Sequence, residues 1–174
     1  MIHFTADTHF GHQRVLELSK RPFKTVEEMD NNMIENWNSV VNKDDIVWHL
    51  GDFGNYEMRE KLNGTIFLLL GNYERNDIKK GIITLDDLSK MFENVYQKNH
   101  NIIINTNSYQ MVHEPLNGTN EEFKLFGHIH KLQMVKRNGL NVGVDCHNFT
   151  PINIETVEFY RNSIQKYYDE EVFS

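Results

Sequence analysis

Short apolar runs that end in glycine and then a polar donor recur along the chain and set the reading of the rest. Ile46-Val47-Trp48-His49-Leu50 leads into Gly51-Asp52, Phe67-Leu68-Leu69-Leu70 into Gly71-Asn72, and Lys124-Leu125-Phe126 into Gly127-His128-Ile129-His130. The opening, Met1-Ile2-His3-Phe4-Thr5-Ala6-Asp7-Thr8-His9, has the same form with alanine in the place of glycine. Apolar runs of this length bounded by turn signals predict buried strands. Glycine lets the backbone turn sharply and approach a ligand closely, and ligands of α/β sheets gather at the carboxyl ends of strands. Four predicted strands therefore deliver oxygen or nitrogen donors to a sheet rim.

Between and after these runs the period changes. Gln13 to Lys20 reads as a short helix with Val15, Leu16 and Leu18 apolar, limited by Pro22. Thr25 and Glu28 form a Thr-x-x-Glu capping signature. It opens a longer helix with Val26, Met29, Met33, Trp37, Val40 and Val41 at helical spacing, which core packing explains. A helix from Tyr56 to Leu62, an Asn63-Gly64 turn and a strand over Ile66–Leu70 follow, and Thr84 caps Leu85–Phe92. Beyond Glu93 the chain reads as short strands: Val95-Tyr96, Ile102–Ile104, Gln110–His113, Phe123–Phe126, Leu132–Val135 and Leu140–Val144. A last helix, Ile154 to Tyr168, carries Val157, Tyr160, Ile164 and Tyr167 on one face, and Asp169-Glu170-Glu171 reads as a solvated end. The expected class is α/β, as a single domain over 1–174, with βα units first and a mostly β half second.

Composition narrows the partners. The chain has 174 residues, 39% hydrophobic and 25% charged, enough for one domain with a substantial core. No apolar run approaches the ~20 residues needed to span a bilayer, so no membrane partner is expected. Met1 leads straight into an expected strand, so no signal peptide is expected. The single cysteine, Cys146, excludes an internal disulfide and agrees with a reducing compartment, so a cytoplasmic location is expected. The net charge of −7, from 18 basic and 25 acidic residues, argues against extended nucleic acid as a partner. A pair of divalent ions would add about four positive charges locally, so a small phosphorylated substrate stays open. Oligomeric state is left open.

The candidate donors, in order, are Asp7, His9, Asp52, Asn72, His113, His128 and His130. Donors two apart, as in Asp7 with His9 and His128 with His130, leave an extended chain on the same side. A mixed carboxylate, imidazole and amide set without thiolate suits Mn²⁺, Fe or Zn²⁺ rather than Ca²⁺ or a structural zinc. Seven donors exceed the needs of one ion and suffice for two divalent metal ions sharing a carboxylate. His12 and Arg75 sit beside donor motifs as candidates for substrate phosphate. His49, inside its strand, reads as packing or supporting a donor. His3 and His100 read as structural or exposed, Asn38 as a polar helix residue and Lys131 as surface. Asp145-Cys146-His147 follows a glycine-containing strand within reach of the site, without making a ligand pair. Specificity would rest on the loop segments Gly11–Phe23, Asn72–Ile82 and Glu114–Glu122.

Asp-x-His, Gly-Asp, Gly-Asn, a lone His and Gly-His-x-His, in that order, resemble the calcineurin-like metallophosphoesterases. The Asp-Thr-His-Phe-Gly-His opening, Arg21-Pro22-Phe23 and His49-Leu50-Gly51-Asp52-Phe53 are similar to its small, single-domain phage or bacterial members, and the likeness runs from Ile2 to about Pro151. The resemblance implies a four-layer α/β/β/α sandwich with a dinuclear metal site at the strand ends. It assigns Asp7, His9 and His130 to the first ion, Asn72, His113 and His128 to the second, and Asp52 to both. It also implies a hydrolase of small, nucleotide-like phosphodiesters or phosphomonoesters, using two ions about 3.5–4 Å apart and a hydroxide bridging them. Two alternatives stand beside it: a non-catalytic interaction module that keeps the fold, and a nuclease. One place departs from the family. Many members read Gly-Asn-His-Asp, where this chain has Gly71-Asn72-Tyr73-Glu74. Tyrosine, with an ordinary pKa near 10, donates a hydrogen bond but is not the same general acid, and support from Glu74 is expected to be rearranged. Reliance on good leaving groups or on phosphodiesters follows.

Overall fold

In the computed structural model, residues 1–119 and 121–166 are described. Among these residues five α-helices and ten strands form in chain order. The first sheet takes β1 (Ile2–Thr5), β2 (Ile46–His49), β3 (Thr65–Leu69), β4 (Asn94–Tyr96) and β10 (Ile152–Asn153), in the order β10-β1-β2-β3-β4. Only β10 runs antiparallel there, and the parallel register sets Phe4 beside Trp48 and Trp48 beside Phe67. The second sheet takes β5 (His100–Ile104), β6 (Asn107–Met111), β7 (Phe123–Phe126), β8 (Val135–Lys136) and β9 (Gly139–Asn141), in the order β5-β6-β7-β9-β8. Its inner pairs, β6 with β7 and β7 with β9, are parallel, while its outer pairs are antiparallel.

The helices are α1 (Gln13–Leu18), α2 (Val26–Val40), α3 (Asn72–Lys79), α4 (Leu85–Met91) and α5 (Ile154–Lys166). Thr25 Oγ1 accepts from Glu28 N at 3.1 Å, as the capping signature predicts. Thr84 caps α4 through Asp87 N at 3.1 Å, and Asp87 returns a bond to Thr84 N. Met29, Met33 and Trp37 of α2 and Leu88 of α4 pack on Val47, Ile66 and Leu68 from one face of the first sheet. The opposite face gives Phe4, Trp48, Leu50 and Leu69 to a second cluster with Tyr109, Met111, Leu125 and Leu140 of the second sheet, and Val157 and Ile164 of α5 join it. Strands covered on both faces carry continuous apolar runs rather than alternation, which is why Phe67–Leu70 reads as it does. Each such large side chain contributes ~1.5–3 kcal/mol by leaving water.

Several boundaries differ from expectation. Tyr56 to Lys61 winds as a 3₁₀ helix, and Asn72–Ile82, expected as loop, begins with α3. Leu132–Val135 is no strand: His130–Leu132 is a 3₁₀ turn, and pairing begins at Val135. Asn141 Nδ2 holds that turn by donating to His130 O at 2.6 Å and Gln133 O at 3.1 Å. The strand expected over Leu140–Val144 ends at Asn141, and Val144–Cys146 is a further 3₁₀ turn. The short β10 gives no sequence period long enough to read. Tyr167, Tyr168 and the Asp169–Glu171 end lie outside the described residues. Among those described, no helix is long and apolar enough to cross a membrane.

Candidate metal centre

Five of the seven expected donors sit on left-handed backbone: Asp7 (φ 57°), His9 (50°), Asp52 (59°), His128 (72°) and His130 (51°). That region is uncommon for residues with a side chain, and such strain gathers where a site demands it. Each donor loop leaves a parallel strand and stays laddered to its neighbour. Asp7 N donates to Gly51 O at 3.0 Å, His9 N to Asp52 O at 3.0 Å and Phe10 N to Phe53 O at 2.9 Å. The two sheets meet where His128 N donates to both oxygens of Asp7, at 3.0 and 2.8 Å. The approach is close enough to require glycine. A Cβ on Gly71 would lie 2.2 Å from Asp52 Oδ1, and one on Gly127 would lie 2.6 Å from Ala6 Cβ.

The donors converge as two groups that share Asp52. Asp7, His9 and Asp52 form one, and Asp52, His113 and His128 the other; within each, the ligand atoms all lie within 4.8 Å of one another. Asn72 joins the second, its Oδ1 at 3.0 Å from His113 Nε2 and 2.9 Å from His128 Nδ1. His113 Nδ1 donates to Leu50 O at 2.7 Å, so Nε2 is the nitrogen turned to the site, 3.4 Å from Asp52 Oδ2. His130 stands just outside these groups, its ring stacked on His9 at 5.2 Å.

The electrostatics match an assembly built around a cation. Asp7, His9, Asp52 and His113 are buried, and buried charge is costly unless paired or coordinated. Burial raises the Asp7 carboxyl above its ordinary range against the pull of His113 and His130, and drives His9 well below its ordinary value. His9 Nε2 has no hydrogen-bond partner, although Asp52 Oδ2 is 3.6 Å away. Burial opposes charge on both Asp52 and His113, but their mutual contact wins, holding Asp52 to about 2 and His113 up to about 9. A cation there would compete with the His113 proton. The orphaned His9 nitrogen and the clustered carboxylate, imidazole and amide atoms fit a divalent ion, and these buried His and Asp groupings could hold one.

Three supports have roles that the sequence does not assign. Glu74, fully buried in the first turn of α3, accepts from Gly71 N (2.7 Å), Asp52 N (2.9 Å) and Phe53 N (2.7 Å). Burial and the neighbouring Asp52 raise its pKa while those amides oppose the shift. Arg21, also buried, donates to Thr8 O at 2.8 Å and Asp7 O at 2.5 Å, and grips Asp145 through Nε (2.9 Å) and Nη2 (2.8 Å). Asp145 Oδ2 is also 2.8 Å from His130 Nδ1, which leaves Nε2 of that ring to face the centre. Burial resists charge on Asp145, but His130 and Arg21 hold it down to about 2. The signals available were the Arg21-Pro22-Phe23 and Asp145-Cys146-His147 segments themselves and, for Glu74, its place in Gly71-Asn72-Tyr73-Glu74.

The remaining expected residues fall in different places. The Tyr73 ring meets the His9 ring edge-on at 4.6 Å, and its backbone N–H donates to Asp52 Oδ1 at 2.9 Å. His12 lies 5.1 Å from the Tyr73 ring, with its Nδ1 3.4 Å from that of His9. Arg75 is further out, tied to Leu70 O at 2.8 Å and paired with Glu114. His49 supports the site from below: Thr8 Oγ1 donates to Phe53 O at 2.8 Å and accepts from His49 Nε2 at 3.0 Å, while Gly51 N donates to His49 Nδ1 at 3.3 Å. Asn38 bonds the backbone of Lys61 and Asn63, and His147 bonds Asn141 O, both away from the donors.

No family model matches the chain. It is 28% identical to the uncharacterized protein MJ1445 of Methanocaldococcus jannaschii, over 90% of this chain and 88% of that protein. The Gene 66 protein of Mycobacterium phage L5 is 36% identical over 41% of this chain and 38% of its own length. Among solved structures, a protein of unknown function, AQ665 from Aquifex aeolicus, superposes with a TM-score of 0.69 at 20% identity, covering 91% of this chain and 98% of that one. That likeness concerns the fold. A structure described as that of a novel archaeal phosphodiesterase reaches a TM-score of 0.46 at 18% identity, over 89% of this chain and 94% of that one.

Proposed function

We propose that the chain is a metal-dependent phosphoesterase of the calcineurin-like metallophosphoesterase type, acting on small phosphodiesters or phosphomonoesters. The observation that carries this is the pair of donor groups sharing Asp52, with the buried His9 nitrogen left without a partner. In this reading Asp7, His9 and His130 hold one ion, Asn72, His113 and His128 a second, and Asp52 serves both. Bound there, two ions such as Mn²⁺, Fe or Zn²⁺ would supply a nucleophile at neutral pH and neutralise charge on the phosphoryl oxygens.

The chain's own residues do the rest. Glu74 and Arg21 fix the loops on which Asp52 and Asp7 stand. The backbone N–H of Tyr73 orients Asp52, and its phenol offers a hydrogen bond beside His9. His12 and Arg75 are the basic groups we assign to substrate phosphate. The same reading includes a single domain over 1–174, a cytoplasmic setting and a small phosphorylated substrate. It also includes the four-layer α/β/β/α form. Helix packing on the outer face of the first sheet and the apolar filling between the sheets favour that form, with α5, which shares the inter-sheet cluster, as the remaining helical layer.

The test pairs metal content with turnover. Protein stripped of metal and resupplied with Mn²⁺ is expected to hydrolyse bis(4-nitrophenyl) phosphate. Asp52→Asn is expected to lose bound metal and activity together, beyond the ~10–100-fold typical of losing an outer partner. Metal binding without hydrolysis of any ester would overturn the proposal in favour of an interaction module.

A further inference from the structure

A neutral imidazole that lends a lone pair from one nitrogen carries its proton on the other, and the partner of that other nitrogen decides whether this form is available. His113 Nδ1 meets Leu50 O at 2.7 Å, and His130 Nδ1 meets Asp145 Oδ2 at 2.8 Å. A carbonyl and an ionised carboxylate can only accept, so both rings keep the proton outward and the lone pair inward. His9 differs. Its Nε2 is the orphan beside Asp52, and its ring is joined to the rest of the described chain by one hydrogen bond, between its Nδ1 and that of His12 at 3.4 Å. A second imidazole nitrogen can either give or take a proton in such a bond. Only when it takes one does His9 present a lone pair to a cation.

The backbone fixes His12 for that task. His12 N donates to His9 O at 3.1 Å, closing the turn that brings the two rings together. Asn55 N donates to Phe10 O at 2.7 Å, and Gly11 N donates to both oxygens of the buried Asp30 carboxylate of α2, at 3.1 and 3.0 Å. The Tyr73 ring packs on both imidazoles, 4.6 Å from His9 and 5.1 Å from His12. A separation of 3.4 Å is long for a hydrogen bond, but a ring bound to a cation through one nitrogen donates more strongly through the other. We infer that His12 is a positioning residue: its Nδ1 accepts from His9 Nδ1–H and so holds His9 in the form whose Nε2 can ligate. The proton of His12 then sits on Nε2, where it is the donor that a phosphate oxygen needs. This rests on the metal-dependent reading above.

Two variants separate the acceptor from the bulk of the ring. His12→Asn puts a carbonyl oxygen where Nδ1 was, and His12→Leu offers no acceptor. The full chain, stripped of metal, is titrated with Mn²⁺ by calorimetry. His12→Leu is expected to bind one of two ions about 10–100-fold more weakly, while His12→Asn stays within about threefold of the wild type. Equal affinities in all three proteins, or equal losses in both variants, would overturn the inference. A wild type that binds no ion would sink the metal-dependent reading itself, and the inference with it. A second measurement uses the wild type alone, loaded with Zn²⁺ and labelled with ¹⁵N at histidine. Long-range proton–nitrogen correlations are expected to place the His12 proton on Nε2 and none on Nδ1. A proton on His12 Nδ1 would overturn the inference whatever the affinities.

Discussion

The two sides of the centre solve one problem with opposite charges. Left-handed turns at Asp7, His9 and Asp52 carry backbone groups out of the sheet ladders, and a buried polar group without a partner is costly. On the α3 side, the Glu74 carboxylate collects three N–H groups from Gly71, Asp52 and Phe53. On the other, the Arg21 guanidinium collects two carbonyls, from Asp7 and Thr8. Arg21 is matched by Asp145 at 2.8 Å, whereas Glu74 has no ion-pair partner among the described residues. One anchor is therefore electrically closed, while the other leans on amide dipoles alone.

That difference is sharpest when a partner is removed. Asp145→Ala leaves Arg21 charged, buried and unpaired, a loss expected to cost about 3–5 kcal/mol. Urea unfolding should show it as a lower midpoint at unchanged slope. Adding Arg21→Met to an Asp145→Leu chain should recover much of the loss, because an apolar pair needs no compensation. A double variant no more stable than Asp145→Ala would mean that the Asp7 and Thr8 carbonyls, not the ion pair, are what Arg21 is there for.

Glu74→Gln tests the other anchor. A carboxamide presents one oxygen where two are used, and turns its own N–H₂ towards backbone donors. The expected cost is about 2–3 kcal/mol, the scale of hydrogen bonds to a charged group. Since these amides belong to the loop carrying Asp52, metal affinity should fall with stability. Unchanged stability would show that the three contacts carry no net weight.

This contrast also marks what was readable beforehand. The candidate donors and their strands could be read because apolar runs and glycine announce a strand end, and because a side chain's capacity to hold a metal follows from its identity. The anchors could not. Arg21 and Asp145 are 124 positions apart, and no local period links a guanidinium to the carbonyls it will meet. Glu74 could be read only as a departure from a family motif, and its three amides come from two different loops. The boundaries failed where tertiary bonds overrode local preference, as in the turn at His130–Leu132 that Asn141 holds.

His49 links both anchors from beneath, and acid probes it. The Thr8 proton goes to Phe53 O, so His49 must donate from Nε2, and Gly51 N–H requires a lone pair on Nδ1. Complete burial, aided by His113 and opposed by Asp52, lowers its pKa to about 3. Between there and the ordinary value near 6.5 the unfolded chain binds a proton that the folded chain does not. His49 therefore leaves stability intact above about pH 6.5 and lowers it progressively as pH falls towards 3. Relative to His49→Gln, the wild type should lose up to about 1.4 kcal/mol per pH unit in that window. Parallel pH–stability curves for the two proteins would refute the buried neutral imidazole.

The smallest expected effect is at Tyr73, which lies between the anchors, its ring on His9 and its amide on Asp52. Tyr73→His places an imidazole where many relatives of the resembled family have one, and a positioned general acid is worth ~10²–10⁴ in rate. Most of that should not appear. The carboxylate that would orient the new ring is Glu74, and both of its oxygens are committed to backbone amides. We therefore expect a gain of at most about tenfold, confined to alkyl esters with poor leaving groups, with aryl esters unchanged. Equal alkyl-to-aryl ratios in the two proteins would show that Tyr73 has no part in leaving-group protonation. A gain of a hundredfold or more would show that the imidazole orients without Glu74, and that the amide anchor and the chemistry are independent.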